Sequence, residues 1–385
     1  MIRQVVGFVG LVLLCLTVVG EVRAQSPANR PAPDPLADQC VDAEGRLAAD
    51  VRIGTCTAVL RSGRYVGSDQ EFVLVSRGNA YAAAGDLALA IADYDQAQLL
   101  LPTSTGARFN RALARLALEQ FDQALVDIDA AIQLAPDWAE AYQLRGEIRY
   151  AGRDDTGAVA DYTRSLELKP SDAAYHGRGV SYLILGDRQR GMADLDEAIR
   201  LNPQSLRSLS MRAYAWREQG NSDAALLDYN AALRIEPRNS NLLNQRGALL
   251  FDRNALGDAV ADFEQLLAIN PNDGVAAMNI CAIRLMVNEV QTAITSCDRA
   301  LTLDPASMES RLIRGVAHFR LQSLARAEAD FSALLGGPAD GLGRYGLALV
   351  EIGKGNLVEG NRKRDEALRL LPSAAADFAR LGVTS

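Results

Sequence analysis

Histidine is nearly missing from this chain: His176 and His318 are the only two in 385 residues. No glycine-rich phosphate loop, nucleophile elbow or paired metal-ligand motif stands in it. No C-x-x-C spacing offers a catalytic dithiol. These absences argue against an enzyme, and no cofactor or metal is expected. Basic residues are also short, 40 against 48 acidic, giving a formal charge of −8. Without a basic patch to track phosphates, a nucleic-acid partner is disfavoured. Beyond the N-terminus, no apolar run is long enough to cross a bilayer.

The one long apolar run is residues 5–19, preceded by Arg3 and followed by Val22-Arg23-Ala24. That pattern predicts a secretory signal peptide over residues 1–24, cleaved near Ala24. Leu14, ahead of Cys15, departs from a lipoprotein signal, which wants a small residue there. The expected product is an exported protein, periplasmic or secreted, with no integral membrane segment after cleavage. Residues 25–36 are polar and proline-rich, a leader expected to stay extended or disordered.

What the chain has in abundance is repetition. Residues 77–102 (RGNAYAAAGDLALAIADYDQAQLLLP) read as two short amphipathic helices. Gly78 and Tyr81 mark the first; Ala90, Tyr94 and Ala97 mark the second, at steps of four and three. Gly85-Asp86 is expected to end one helix and cap the next. The closing proline recurs at Pro102, Pro136, Pro170, Pro203, Pro237, Pro271, Pro305, Pro338 and Pro372, every 33 or 34 residues. Such a period predicts an all-α fold, a right-handed α-solenoid of tandem helix-turn-helix repeats.

The residues resemble the tetratricopeptide repeat: small, aromatic, alanine, aromatic, alanine and proline at that family's offsets. Gly179, Tyr182, Leu195, Ala198 and Pro203 carry the pattern, as do Ala213, Trp216, Ala225, Tyr229, Ala232 and Pro237. The resemblance covers residues 71–372 as nine copies. Residues 37–70 read as a degenerate N-terminal hairpin. Residues 373–385 read as a capping helix and tail, with Ser373 as N-cap and Phe378 folding back. In the last repeat Gly360 and Arg364 replace the usual alanine and aromatic, so looser packing is expected there. Gly336-Gly337-Pro338 marks either a small hinge or a one-residue loop shift.

Four cysteines remain after signal removal: Cys40, Cys56, Cys281 and Cys297, in two pairs of equal spacing. In the repeat frame, counted from Glu71, Cys281 is at position 8 of the first helix and Cys297 at position 24 of the second. Those positions face one another where a hairpin is tightest. Disulfides Cys281–Cys297 and Cys40–Cys56 are therefore expected, each worth roughly 3 kcal/mol; four buried free thiols are the alternative.

A second pattern has the same separation of sixteen. Arg at position 7 is matched by Asp at position 23 in Arg77/Asp93, Arg111/Asp127, Arg145/Asp161, Arg178/Asp194, Arg212/Asp228, Arg246/Asp262 and Arg314/Asp330. Two repeats lose both partners together, at Ile280/Ser296 and Leu347/Lys363. Joint loss predicts ion pairs within or between hairpins that set repeat register; a cationic ladder for anionic ligands is the competing reading.

By the same resemblance, positions 2, 5, 9 and 12 of each first helix line a concave groove that takes a protein or peptide. Here they include Phe109, Gln143, Glu147, Tyr150, His176, Tyr214, Arg217, Asn244, Phe251, Phe319 and Tyr345. The alternative for each is packing between neighbouring first helices. A carboxylate clamp of the family's kind is incomplete: Asn79 and Asn110 are present, but Val75, Glu140 and Leu144 stand where other residues belong. The expectation is an exported, non-enzymatic scaffold. The alternatives are a regulatory subunit or assembly chaperone of an envelope enzyme complex, such as one for cell-wall synthesis, and a polysaccharide or small-ligand binder.

Overall fold

The structure is a computed structural model that describes residues 34–42 and 45–383. The predicted signal peptide and most of the proline-rich leader lie outside the described residues. Among those described there are helices and no strands. None of the helices is long and apolar enough to cross a membrane.

Each repeat is punctuated by a local device. In most repeats the proline closely follows the second helix, and in five of them a short polar residue one or two places on caps the next. Ser104, Ser171, Asn239, Asp273 and Ser307 each accept the backbone N–H three residues ahead. They thereby satisfy one of the donors a helix start leaves open. The turn inside each hairpin needs a left-handed residue, which Gly85 supplies with φ of 86°. Asp86 follows it as expected, but its side chain makes no cap hydrogen bond. Asp154, Asp187 and Asn221 do make one at the equivalent place.

The chain divides into two compact units, ending and starting at Ala215 and Trp216. In the first, α1 (Pro35–Val41) and α2 (Ala49–Arg61) form the N-terminal hairpin. Four full hairpins follow: α3 (Ser68–Ala84) with α4 (Leu87–Leu100), and α5 (Thr105–Ala117) with α6 (Phe121–Leu134). Next come α7 (Ala139–Ala151) with α8 (Asp155–Leu168), and α9 (Asp172–Ile184) with α10 (Arg188–Leu201). The unit boundary falls inside α11 (Leu206–Glu218).

The second unit continues with α12 (Ser222–Ile235), α13 (Ser240–Asp252), α14 (Leu256–Ile269), α15 (Gly274–Met286) and α16 (Val290–Leu303). It is completed by α17 (Met308–Arg320), α18 (Leu324–Ser332), α19 (Asp340–Gly353), α20 (Leu357–Leu370) and α21 (Ala374–Arg380). Sequential helices pack on one another in both units, so each is an α-solenoid.

The core is the same contact repeated. A small residue at position 8 lets the ring at position 24 lie against the first helix: a Cβ on Gly78 would stand 2.5 Å from Tyr94 Cε1, and one on Gly315 2.7 Å from Phe331 Cε1. The loop at residues 336–338 reflects a shortened helix: α18 has 9 residues where other second helices have 14. At the C-terminus Phe378 is buried, 5.0 Å from the Tyr345 ring and 5.7 Å from that of Phe331. Ser373 occupies the N-cap position of α21 but makes no side-chain cap bond.

Candidate partner-binding surface

The position 7 arginines fix how each first helix sits. Arg77, Arg145, Arg178, Arg246 and Arg314 hold Asp93, Asp161, Asp194, Asp262 and Asp330 at 2.6–2.8 Å, and Arg111 holds Asp127. The aspartates are buried, and carboxylates out of water need such partners. Hydrogen bonding to Asp194 raises the Arg178 guanidinium above its ordinary value. The remaining pair, Arg212 and Asp228, has its members in different units.

Each of these arginines also reaches backwards, which the sequence pattern did not announce. Arg111, Arg145, Arg212 and Arg314 bond Asp95, Asp129, Asp196 and Asp298 of the preceding hairpin at 2.5–2.7 Å. Arg246 bonds Asn230 at 2.6 Å; Arg178 and Arg77 take Thr163 and Thr57 hydroxyls at 3.2 and 3.3 Å. All these acceptors except Thr57, which precedes the first repeat, occupy position 25. One guanidinium thus spans two acceptors with its planar fork, joining hairpin to hairpin.

The hairpins without this arginine use other fastenings. Cys40 and Cys56 are bonded across the N-terminal hairpin, and Cys281 and Cys297 across the seventh repeat, with Cα separations of 4.7 and 5.1 Å. In that seventh repeat Arg284, at position 11, donates to Ser296 at 2.9 Å and to Glu264 of the preceding hairpin at 2.7 Å. In the last repeat Lys363 faces Glu351 at 3.6 Å.

The predicted groove residues separate into two classes. Tyr150, His176, Tyr214 and Tyr345 are buried, Tyr345 to 2% exposure beneath Phe378. Their side chains pack between elements and are not free to meet a ligand. His176 Nδ1 lies 3.2 Å from the Ser208 hydroxyl, which in turn lies 2.9 Å from that of Ser205. Burial, reinforced by Arg207, holds the imidazole well below its usual value and therefore neutral.

The remaining residues keep exposed atoms. In the first unit the Phe109 ring lies 4.7 Å from that of Trp138, and Gln143 donates to Glu147 at 3.0 Å. In the second unit Arg217 and Phe319 are half-buried, Asn244 is exposed and Phe251 is 37% exposed. Sequence reasoning missed Val275, 61% exposed at position 2 of α15. The rule for groove positions was enough to find it. Asn79 accepts from Tyr94 and from Asn110, both at 2.8 Å, so this asparagine pair is engaged in holding two first helices together.

A family model for the tetratricopeptide repeat matches residues 109–173, 176–240, 220–274 and 287–342. The chain belongs to the tetratricopeptide repeat family. Among curated relatives, the Hsp70-Hsp90 organizing protein of Triticum aestivum is 31% identical over 97 residues, which is 25% of this chain and 17% of the relative. The small glutamine-rich tetratricopeptide repeat-containing protein 2 of Saccharomyces cerevisiae is 33% identical over 100 residues, 26% of this chain and 29% of the relative. The chain thus spans less than a third of these relatives.

Two solved structures show the same fold. A tetratricopeptide repeat protein from Parabacteroides merdae aligns with a TM-score of 0.50 at 19% identity, covering 64% of this chain and 96% of its own. The C-terminal part of a repeat protein from Cytophaga hutchinsonii gives 0.51 at 15%, covering 60% and 96%. Proteins built from these repeats serve as interaction scaffolds, and the Triticum aestivum relative is named for organizing Hsp70 and Hsp90.

Proposed function

We propose that this tetratricopeptide repeat protein is an exported, non-enzymatic scaffold that holds a protein or peptide on the inner faces of its first helices. The observation that carries this reading is in the second unit. There Asn244 and Phe251 on α13 and Val275 on α15 keep exposed surface at groove positions. Amides beside exposed apolar side chains suit an extended peptide, whose backbone needs partners and whose side chains need apolar contact. Export is supported by the leader pattern of residues 1–24 and by two cystines, which persist in oxidising compartments.

The carboxylate clamp is not carried over. Val75 cannot supply its charge, and Glu140 is paired with Lys169 at 2.8 Å. The test is affinity capture from envelope extract by the chain from Gln25 onward, beside an Asn244→Asp/Phe251→Glu variant shown to be folded. A protein retained by the native chain and lost from the variant is the expected result. Equal capture by both would move the site elsewhere and overturn the reading.

A further inference from the structure

Position 4 of the first helix is large in eight of the nine repeats, as Leu, Tyr or Arg; in the seventh it is Ala277. The same repeat has Ile280 in place of the arginine at position 7. The two truncations coincide with a cleft of about 380 Å³ lined by α14, α15 and α16. Ala277 and Ile280 are its buried floor, Leu267 is an apolar wall, and Arg284, Ser296 and Arg299 stand around it. A cavity of ~150 Å³ already accepts benzene, so the volume is ample for an aromatic ring.

The third repeat shows how this place is furnished when it is full. There the position 4 residue is Tyr142, and two guanidinium groups lie over its ring, Arg145 at 5.3 Å and Arg164 at 5.9 Å from the centroid. Arg164 is at position 26, the position of Arg299 in the seventh repeat. In the fourth repeat Tyr175 lies under Arg178 at 5.6 Å. The seventh repeat therefore keeps the position 26 cation and lacks the ring it would cover.

We propose that this cleft seats an aromatic side chain, tyrosine or phenylalanine, from a partner polypeptide that carries acidic residues beside the ring. The ring replaces the missing position 4 side chain, stacked by Arg299 as Tyr142 is by Arg164. The acidic flanks follow from charge. Arg284 and Glu264 neutralise one another at 2.7 Å, whereas exposed Arg299 bonds a neutral acceptor, the Pro271 carbonyl, at 3.0 Å. The site is walled by α14 and α16 and floored by Ala277 and Ile280 of α15, and its lining shares no side chain with the groove positions proposed above.

The experiment titrates the full chain with an acetylated, amidated peptide EEYEE and with EEAEE by calorimetry. Saturable binding of EEYEE, at least ten-fold stronger than EEAEE, is expected. Ala277→Tyr should fill the seat from within and abolish binding while thermal unfolding stays cooperative; if it misfolds, Ile280→Arg provides a second plug. Arg299→Ala should weaken binding about two- to five-fold, the worth of one exposed cation–π contact. Equal binding of both peptides, unchanged binding by the plugged variant, or no binding at millimolar peptide would each overturn the proposal. N-acetyltyrosinamide binding as tightly as EEYEE would overturn its assignment to a partner segment.

Discussion

Lys363, at position 23, lies 3.6 Å from Glu351, at position 11, an ion pair whose charges are the reverse of those in the Arg–Asp ladder. Elsewhere the second helix offers the acid and the first helix the base. Here the first helix carries Glu351 and the second carries Lys363. Because both ends are partly in water, the contact is weak compared with the buried pairs. A double-mutant cycle with Glu351→Ala and Lys363→Ala should give a coupling of roughly 0.5 kcal/mol by chemical denaturation. The charge-reversed variant Glu351→Lys/Lys363→Glu should retain stability better than either single reversal.

The buried arms of the ladder should behave differently from the exposed ones. Arg178→Leu leaves Asp194 buried without its cation and is expected to cost about 3 kcal/mol. Asp129→Asn, at a half-exposed acceptor of Arg145, should cost under about 1 kcal/mol. Urea denaturation of both variants tests this. Arg178→Leu should also keep its bound partner in the capture experiment. Full stability with loss of that partner would return the ladder to a ligand-binding role.

The Cys281–Cys297 bond closes a short loop in a repeat that lacks the Arg–Asp pair. Replacing both cysteines by alanine should lower stability by roughly 3 kcal/mol in the chain-entropy account. Hydrogen exchange should accelerate first in α15 and α16. Adding Ile280→Arg and Ser296→Asp to that background should recover part of the loss, since it installs the fastening used next door by Arg314 and Asp330.

Acid should weaken the first unit through His176. Its folded value is depressed by burial and Arg207, so the unfolded chain binds a proton that the folded one does not. Above the ordinary histidine value near 6.5, both states are neutral and nothing is lost. As the pH falls below that value, stability should drop, by at most about 1.4 kcal/mol per pH unit. His176→Gln should flatten the stability profile between about pH 6.5 and 5. An unchanged slope would mean that the imidazole is protonated in the folded state.

The fold was readable because its determinants are local and repeated: Pro102 and its successors, the small residue at position 8, the ring at position 24. The inner-face assignment was less readable for a physical reason. The spacing that places Tyr150, Tyr214 and Tyr345 on one face of a first helix is also the spacing that packs residues against the next element. Which of the two occurs depends on a distant neighbour, Phe378 for Tyr345, and no periodicity within one helix reports that. The backward arm of the ladder was legible in principle, since Asp95, Asp129, Asp196 and Asp298 share one position. It went unseen because its partner belongs to the following repeat.

A ladder whose rungs are alike cannot tell one rung from the next. If the chain slipped by 34 residues, or traded hairpins with a second copy, nearly every Arg–Asp contact would find an equivalent partner, which is how repeat proteins misassemble. The odd fastenings break that degeneracy. A cystine closes the N-terminal hairpin, another closes the seventh repeat, and the charge-inverted pair marks the last. A slipped chain would set Arg246 of the sixth repeat opposite Ser296 of the seventh and leave thiols unmatched. These three exceptions act as addresses, marking three hairpins whose two helices match only one another.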